Sequence, residues 1–350
     1  MKTPSKTTRT LTQLTALVFC GSLTATTMAM DVSPFKPGDT LTAEQASELL
    51  KRYKDRLVQP WTVPDKADIN KEPNAESIRY GIQVLNQTND TIGPKVANPN
   101  LRYSGNSLNC TSCHISGPQG LPGTMPYGIP FVNVMNDYPN FRKRSMSIGS
   151  PEDRVEGCMT RSQGAGKPLP KDSKEMKGII DYFTWLAKGT HPNQAMQYTG
   201  LPNIDFPSRA ADPKTGKNLY AEHCIACHQA NGLGLKAASY DKDGNYTFPP
   251  LTGPDSFNNG AGMSRLMTAT KFIYANMPLG ATHKSPVLSV EEAYDIAGYI
   301  ESLPRSEHPG RDKDFPNPKF RPKDYPVPAY FNGDQAALEK AKYGPFTSGK

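Results

Sequence analysis

The chain contains 350 residues and carries a formal net charge of +7, with 33 prolines and 29 glycines. This length allows two modest domains with cores of their own, and the frequent prolines and glycines indicate long loops. The positive charge is mild, and no basic helix or stripe of aromatic and basic residues accompanies it. We therefore expect no binding to nucleic acid.

The first 29 residues have the pattern of a secretory signal peptide. Lys2, Lys6 and Arg9 precede an apolar stretch at 11–23, and small residues lead to Ala29. Cleavage after Ala29 removes three positive charges and leaves +4 on a mature chain that we expect in the periplasm. A retained membrane anchor is the alternative. The stretch is short for a bilayer span and no other apolar run is long enough, so we predict no stable membrane insertion.

The first predicted unit covers residues 30–204. A helix around 75–85 leads to a C-x-x-C-H pentad at 110–114, and a long loop follows. A closing helix is predicted at about 174–187, because apolar residues recur there at helical spacing. These residues are Ile179, Ile180, Phe183 and Leu186.

The second predicted unit covers residues 205–305 and has the same order of elements. A helix at 214–228 ends in the second pentad, and a long loop again separates it from a closing helix. That helix begins with a sequence like a capping box at Ser289 and stops before Pro304.

The repeated order of helix, pentad, long loop and closing helix resembles the class I cytochrome c fold. We predict a mainly α protein with two domains of this kind, each with long loops and one haem c. Residues 306–350 are rich in proline and charge and show little periodicity. We expect them to form a surface tail that is partly disordered.

The two pentads are Cys110-Thr111-Ser112-Cys113-His114 and Cys224-Ile225-Ala226-Cys227-His228. In this motif two thiols attach covalently to haem, and the adjacent histidine is the proximal ligand of the iron. A single pentad would also fit a redox dithiol or part of a zinc site. Two pentads with matching helices in an exported chain predict two covalently bound haem c groups.

One cysteine of the predicted mature chain has no role in the pentads. The chain has six cysteines, of which Cys20 falls in the predicted signal peptide and four belong to the pentads, so Cys158 is left over. Cys158 and Met159 both lie where the distal ligand of the first haem is expected. We favour Cys158, partly because it is the unpaired cysteine. A thiolate is also a sulfur nucleophile. The alternative is a free buried cysteine beside a Met159 ligand.

Cations are frequent in the sequence around Cys158, and guanidinium groups match tetrahedral oxyanions. They include Arg142, Lys143, Arg144, Arg154, Arg161 and Lys167. An ordinary solvated basic surface is the alternative interpretation of this cluster.

The distal ligand of the second haem is predicted to be Met277. It precedes a proline in the loop before the closing helix, where class I cytochromes c place their distal methionine. Met263 and Met267 are alternatives with the spacing of a helix interior, which favours a role in packing. Lys271 and His283 are further candidates in the same stretch, although each is more typical of an exposed side chain.

Several segments resemble the dihaem thiosulfate dehydrogenases, and the similarity covers most of the mature chain to about Leu303. The specific segments are Asn109 to His114 and Asp153 to Ser162, supported by residues 102–109, 126–128, 142–144 and 166–170. The second unit by itself indicates only a cytochrome c.

This resemblance implies specific roles for residues of the first unit. His114 and Cys158 are the expected axial ligands of an active-site haem, and Arg144, Arg154 and Ser162 are the expected groups that bind the sulfur oxyanion. Some members of the family place a lysine immediately before the distal methionine of the second haem and exchange ligands there. This chain has Asn276 at that position.

The implied reaction is the reversible coupling of two thiosulfates to tetrathionate, with electrons relayed through the second haem to an external electron-carrier cytochrome. In the reverse direction the same site is a tetrathionate reductase. We hypothesise a Cys158 S-thiosulfonate as the covalent intermediate. One rival is a dihaem electron carrier without substrate chemistry, which predicts Met159 as the first distal ligand. Another is a Sox-type cytochrome that conjugates thiosulfate to a partner's cysteine.

Overall fold

The computed structural model describes residues 34–164 and 167–346, together with Met1. The predicted signal peptide, with Cys20, lies outside these residues apart from Met1. No helix of the described ranges combines the length and the apolar character needed to cross a bilayer.

The described chain is mainly helical, as predicted. Its helices are α1 (Ala43–Lys54), α2 (Ala75–Asn86), α3 (Thr88–Ile92), α4 (Val134–Asp137), α5 (Pro151–Met159), α6 (Lys174–Leu186), α7 (Pro213–His223), α8 (Ile225–His228), α9 (Tyr240–Asp243), α10 (Leu266–Asn276), α11 (Val290–Ser302) and α12 (Gln335–Tyr343). Short 3₁₀ turns join several of them, and one of these turns carries the first pentad.

Six short strands form three two-stranded sheets within the described residues. They are β1 (Val58–Gln59), β2 (Asn140–Arg142), β3 (Ser147–Gly149), β4 (Ala195–Met196), β5 (Leu235–Lys236) and β6 (Tyr246–Phe248). β1 pairs in parallel with β4, whereas β2 with β3 and β5 with β6 are antiparallel pairs. The β2–β3 hairpin leads directly into α5.

The approach and closing helices of the first unit cross at two glycines. A Cβ atom on Gly81 of α2 would lie 2.0 Å from the carbonyl oxygen of Gly178 in α6. Only glycine allows two backbones to approach this closely. The surrounding hydrophobic cluster includes Trp185 and Leu186 and extends to Phe131, so the crossing lies in the core of this region.

The second unit repeats this crossing with α7 and α11. A Cβ atom on Gly216 would lie 1.9 Å from the carbonyl oxygen of Asp295. Ser289 caps α11 as predicted, and Glu292 completes its capping box. Tyr220 and Ile296 belong to the hydrophobic cluster around the crossing, which is separate from the cluster of the first unit.

The C-terminal segment at 306–346 packs more closely than a surface tail. It forms three 3₁₀ turns and α12. Tyr325 is fully buried in a small cluster with Phe315, and Phe346 joins the hydrophobic cluster of the second unit. The hydrophobic periodicity of the sequence did not indicate that this segment packs, because its buried residues come from irregular turns.

Candidate active site

The first pentad lines a cavity of about 630 Å³. Cys110, Cys113 and His114 line it together with Cys158 and Met159 from α5. Its apolar lining comes from α2, α3, α6 and nearby loops and includes Val84, Leu85, Ile92, Phe131, Ile179 and Phe183. The predicted attachment residues and both candidate distal ligands therefore lie around one cavity.

His114 is oriented by the backbone. Its Nδ1 donates a hydrogen bond to the carbonyl oxygen of Ile129 at 2.6 Å, and its ring stacks on Phe131 with 4.2 Å between the centroids. This bond leaves Nε2 as the unprotonated nitrogen, which is the arrangement of a metal-ligating histidine with an outer hydrogen-bond partner.

Thr88 positions the first pentad, and sequence reasoning missed it. Its hydroxyl accepts a hydrogen bond from the backbone N–H of Cys110 at 2.9 Å and lies 3.3 Å from the Cys110 sulfur. The same hydroxyl donates to the carbonyl oxygen of Val84 in the last turn of α2. No motif distinguishes this buried threonine from any other helix-terminal threonine.

Cys158 has a charged environment inside the protein. Arg154, one turn earlier in α5, places Nη1 2.8 Å from the Cys158 sulfur. Burial favours the neutral thiol, but Arg154, His114 and Arg142 outweigh it and lower the pKa of Cys158 to about 6. The helix that carries both residues is fixed by Ser150, which forms a capping box with Asp153.

Met159 lines the same cavity and is packed more tightly. Only 2% of its surface is exposed, and it belongs to the hydrophobic cluster of the first unit. Cys158 is the residue of this pair whose sulfur interacts with His114 across the cavity.

The second pentad lines a larger apolar cavity of about 1220 Å³. Cys224, Cys227 and His228 line one part of it, and Met277 enters directly after the end of α10. The Nδ1 of His228 donates to the carbonyl oxygen of Pro249 at 2.8 Å, as Nδ1 of His114 does to its own partner.

The alternative ligands of the second cavity have different positions. Met263 lines the cavity, whereas Met267 packs against the hydrophobic cluster of the second unit. Lys271 and His283 are absent from the described lining, and His283 instead contacts Tyr127 and Tyr198. Asn276, which directly precedes Met277, donates to the carbonyl oxygens of Tyr127 and Phe272.

Both cavities have the donor set that covalently attached haem requires. Each combines two thiols, an imidazole with a free Nε2 and a sulfur from a later segment, within an apolar lining. Cys113 lines both cavities, and Thr111 and Ser112 line the second one. The first pentad therefore forms part of the wall between them.

A third cavity, of about 1280 Å³, opens beside Cys158 and is lined by cations. We call it the cationic cavity. Ser162 lines it with Cys158. Its cations are Arg142, Arg144, Arg154, Arg161, Arg265 and Lys271, whereas Lys143 and Lys167 of the predicted cluster are not among its described lining residues.

Three of these cations are bonded to carboxylates. Asp314 accepts hydrogen bonds from Arg144 Nη1 at 2.6 Å and from both terminal nitrogens of Arg161 at 2.9 Å. Asp324 accepts from Arg265 Nη1 at 3.0 Å. Both acids belong to the C-terminal segment, so sequence reasoning, which treated that segment as a tail, missed them.

Arg142 and Arg154 have no carboxylate partner among the described residues. Arg142 lies against Gly149 and Gly157, where added Cβ atoms would come within 2.9 and 3.1 Å of its side chain. Its guanidinium has no hydrogen bond or ion pair to any described residue. Arg144 also lines the cationic cavity, and its described side-chain hydrogen bonds all come from Nη1.

The helix crossings and the two pentad cavities define a c-type cytochrome. A family model for cytochrome c matches residues 213–304, which contain the second pentad and Met277, and haem c is accordingly the cofactor. This match covers the second unit and does not extend to Cys158.

Similarity over the longer chain identifies the family. The chain is 36% identical over 257 residues to a thiosulfate dehydrogenase of Psychrobacter arcticus, covering 73% of this chain and 71% of that protein. It is 37% identical over 244 residues to a thiosulfate dehydrogenase of Allochromatium vinosum, covering 70% and 84%.

A solved structure agrees with this assignment. The thiosulfate dehydrogenase TsdBA of Marichromatium purpuratum, in its as-isolated form, superposes with a TM-score of 0.60 at 32% identity. The match covers 69% of this chain and 49% of that one, so this chain spans about half the length of the solved chain. The chain belongs to the thiosulfate dehydrogenase family and is an oxidoreductase.

Proposed function

We propose that this chain is an exported cytochrome with two haem c groups that couples two thiosulfates to tetrathionate at Cys158. The observation that carries the proposal is the position of the Cys158 sulfur, 2.8 Å from Arg154 Nη1 and at the boundary of the first pentad cavity and the cationic cavity. A sulfur nucleophile beside cations is suited to an anionic sulfur substrate.

The residues that would hold the cofactors follow from the linings of the two pentad cavities. Cys110 and Cys113 would attach the first haem, and His114 and Cys158 would hold its iron. The second haem would be attached and ligated by Cys224, Cys227, His228 and Met277. When bound, the two haem c groups supply a pair of one-electron acceptors.

Arg154, Arg144 and Ser162 would bind the sulfonate group of thiosulfate. All three line the cationic cavity, and the free nitrogens of the guanidinium groups match the oxygens of a tetrahedral anion. Binding of the sulfonate orients the terminal sulfane sulfur toward Cys158. The cations also stabilise the thiolate form of Cys158, which is the reactive form.

The coupling proceeds in two balanced steps. In the first, the Cys158 thiolate and the sulfane sulfur of one thiosulfate form a sulfur–sulfur bond, and two electrons leave to the cofactors. In the second, the sulfane sulfur of another thiosulfate attacks the adduct sulfur that is bonded directly to Cys158. The Cys158–sulfur bond breaks, tetrathionate leaves and the thiolate is regenerated. The reverse sequence consumes two electrons and reduces tetrathionate.

The electrons then pass to an external carrier, for which an electron-carrier cytochrome in the periplasm is our proposal. The rival without substrate chemistry gives no reason for six cations around a half-buried cysteine. The Sox-type rival would need a cysteine from a partner protein at the cationic cavity. Thiosulfate oxidation without any partner protein distinguishes our proposal from that one.

The test is a thiosulfate titration of the oxidised purified holoprotein, followed by visible absorbance. We expect rapid haem reduction in the wild type and its loss in Cys158→Met, with both haems still attached. Met159→Leu is the matched control, because it changes the other candidate ligand of the same cavity and should still be reduced. Reduction that survives in Cys158→Met and disappears in Met159→Leu would favour the electron-carrier alternative.

A further inference from the structure

The cationic cavity is built by two units of the fold. Arg142 and Arg154 enter it from the first unit, beside Cys158, and Lys271 enters from α10 of the second unit. A coupling reaction has to accommodate two dianions in one place, so their mutual repulsion needs cations on more than one wall.

α10 separates the cationic cavity from the second pentad cavity. Arg265, Thr268 and Lys271 are spaced three residues apart and line the cationic side. Ala269, Phe272 and Ile273 line the other cavity. The helical period therefore directs Lys271 away from the second pentad and toward the cavity that contains Cys158.

Lys271 is the cation of this wall that has no carboxylate partner. Arg265 is paired with Asp324 at 3.0 Å and also donates to the Thr268 hydroxyl at 2.8 Å. Lys271 makes no hydrogen bond or ion pair with any residue in the part of the chain that the structure describes. Its nearest aromatic group is the ring of Phe206, whose centroid is 5.9 Å from Nζ.

Burial supports a role for Lys271 in binding an anion. The ammonium group is partly removed from water, which lowers its pKa, and Asp324 opposes this effect only from a distance beyond an ion pair. An anionic ligand would stabilise the charged form of a partly buried ammonium group, because its oxygens replace the water that the group has lost.

We propose that Lys271 binds the sulfonate of the second thiosulfate, the one that attacks the Cys158 adduct and becomes the far end of tetrathionate. This inference rests on the proposed function. The two sulfonates of tetrathionate lie at opposite ends of a chain of four sulfurs, so a cation on the wall of the second unit complements the arginines beside Cys158. Lys271 is a substrate-binding residue and not an iron ligand in this proposal.

The experiment measures two steps separately. Loading is the formation of the Cys158 adduct from the first thiosulfate, and removal is the attack of the second thiosulfate that releases tetrathionate. Oxidised holoprotein is mixed with thiosulfate, quenched with acid at successive times and analysed by mass spectrometry for the Cys158 adduct. In Lys271→Gln we expect unchanged loading. We expect the thiosulfate concentration that half-saturates adduct removal to rise on the order of tenfold, because a hydrogen bond to a charged group is lost. The adduct therefore accumulates.

Two further variants keep the test specific. Lys217→Gln makes the same charge change at an exposed site of α7 and should behave as the wild type. Lys271→Arg should restore adduct removal, since it keeps a cation at this wall. Unchanged haem absorbance in Lys271→Gln verifies that the ligands of both irons are intact.

Two results would overturn the role of Lys271. One is adduct removal in Lys271→Gln that matches Lys217→Gln, and the other is an equal loss of loading and removal, which would place Lys271 at the first sulfonate. Failure of the proposed function is distinguishable, since the wild type itself would then form no adduct and show no reduction by thiosulfate.

Discussion

The two pentad regions share their proximal side and differ on their distal side. In each region, two helices cross at a glycine. In each, Nδ1 of the pentad histidine also donates to a backbone carbonyl oxygen. His114 donates to Ile129 and His228 donates to Pro249. The candidate distal ligand is a thiol among arginines in the first region and a thioether among apolar side chains in the second. The difference in chemistry therefore comes from the segment after the pentad.

The cysteines of the first cavity show how local that difference is. Burial raises the pKa of Cys110 to about 11 and that of Cys113 to about 12. Cys158 lines the same cavity and is also buried, yet its pKa is lowered to about 6 because Arg154 and His114 face its sulfur. The position of one guanidinium one helical turn away thus separates a cysteine with a lowered pKa from two cysteines with raised pKa values.

The largest effect is expected from substitutions at the helix crossings, which the two pentad regions share. Gly81→Ala and Gly216→Ala each place a Cβ atom about 2 Å from a backbone carbonyl oxygen. We expect each to destabilise the protein by about 4 kcal/mol or more, because backbone cannot move aside as a side chain does. The loss is measured as the shift of the thermal unfolding midpoint of the holoprotein. Gly262→Ala is the control, since nothing lies within 4 Å of its added Cβ. Equal midpoints for all three variants would show that the crossings are not required.

A second test addresses the distal side of the first region, which depends on the C-terminal segment. Asp314→Asn removes the carboxylate that pairs with Arg144 and Arg161, leaving two partly buried guanidinium groups without a counter-charge. We expect a loss of about 3–5 kcal/mol in the free energy of unfolding, measured by urea denaturation. Asp181→Asn breaks the pair with exposed Lys177 and should cost less than about 1 kcal/mol. A loss no larger than that of this control would show that the segment does not support the cavity.

The third test uses an acidic residue that distinguishes the second cavity. Glu301 lines it, whereas the described lining of the first cavity includes no carboxylate. Burial raises the pKa of Glu301 to about 7, and Arg305 only partly offsets this effect. Arg305 Nη2 lies 3.7 Å from Glu301 Oε1, too far for a hydrogen bond. Arg305 instead donates from Nη1 to the carbonyl oxygen of Leu251 and from Nη2 to that of Ile300. Burial of the Glu301 carboxyl therefore outweighs its attraction to Arg305.

The sign of the pH effect follows from this raised pKa. Between pH 4.5 and about 7 the folded state binds more protons at Glu301 than the unfolded state, so stability falls as pH rises through this window. Glu301→Gln removes the effect and should raise the stability relative to wild type by on the order of 3 kcal/mol at pH 8, with little change at pH 4.5. Urea unfolding at both pH values measures it, with the exposed Glu291→Gln as control. A Glu301→Gln gain of equal size at both pH values would contradict the assignment.

Much of the helical frame was predictable because its signals are local. The helices predicted near 75–85 and 174–187 are present at Ala75–Asn86 and Lys174–Leu186, and the closing helix of the second unit begins after Ser289. The helix predicted at 214–228 is interrupted at Cys224, where the backbone leaves helical geometry before the pentad. Hydrophobic periodicity and capping motifs involve residues within a few helical turns of each other, so they can be recognised from the sequence alone.

The candidate site was predictable only in part. The roles of Cys158, Arg144, Arg154, Ser162 and Met277 stay predictions, although the structure places all five in the linings of the expected cavities. Asp314 pairs with Arg144 across 170 residues of chain. No local pattern reveals such a pair, because its partners are joined by packing and not by spacing.

The sequence by itself determined the two C-x-x-C-H pentads, the mainly helical frame and the cysteine outside the pentads, since each is a matter of residue type and short-range spacing. Only the tertiary structure decided which cations surround that cysteine. It paired Arg144, Arg161 and Arg265 with carboxylates of the C-terminal segment, and left Arg142, Arg154 and Lys271 without them. The physical reason is that an ion's partner depends on three-dimensional proximity, which here joins three separate regions of the chain around one sulfur.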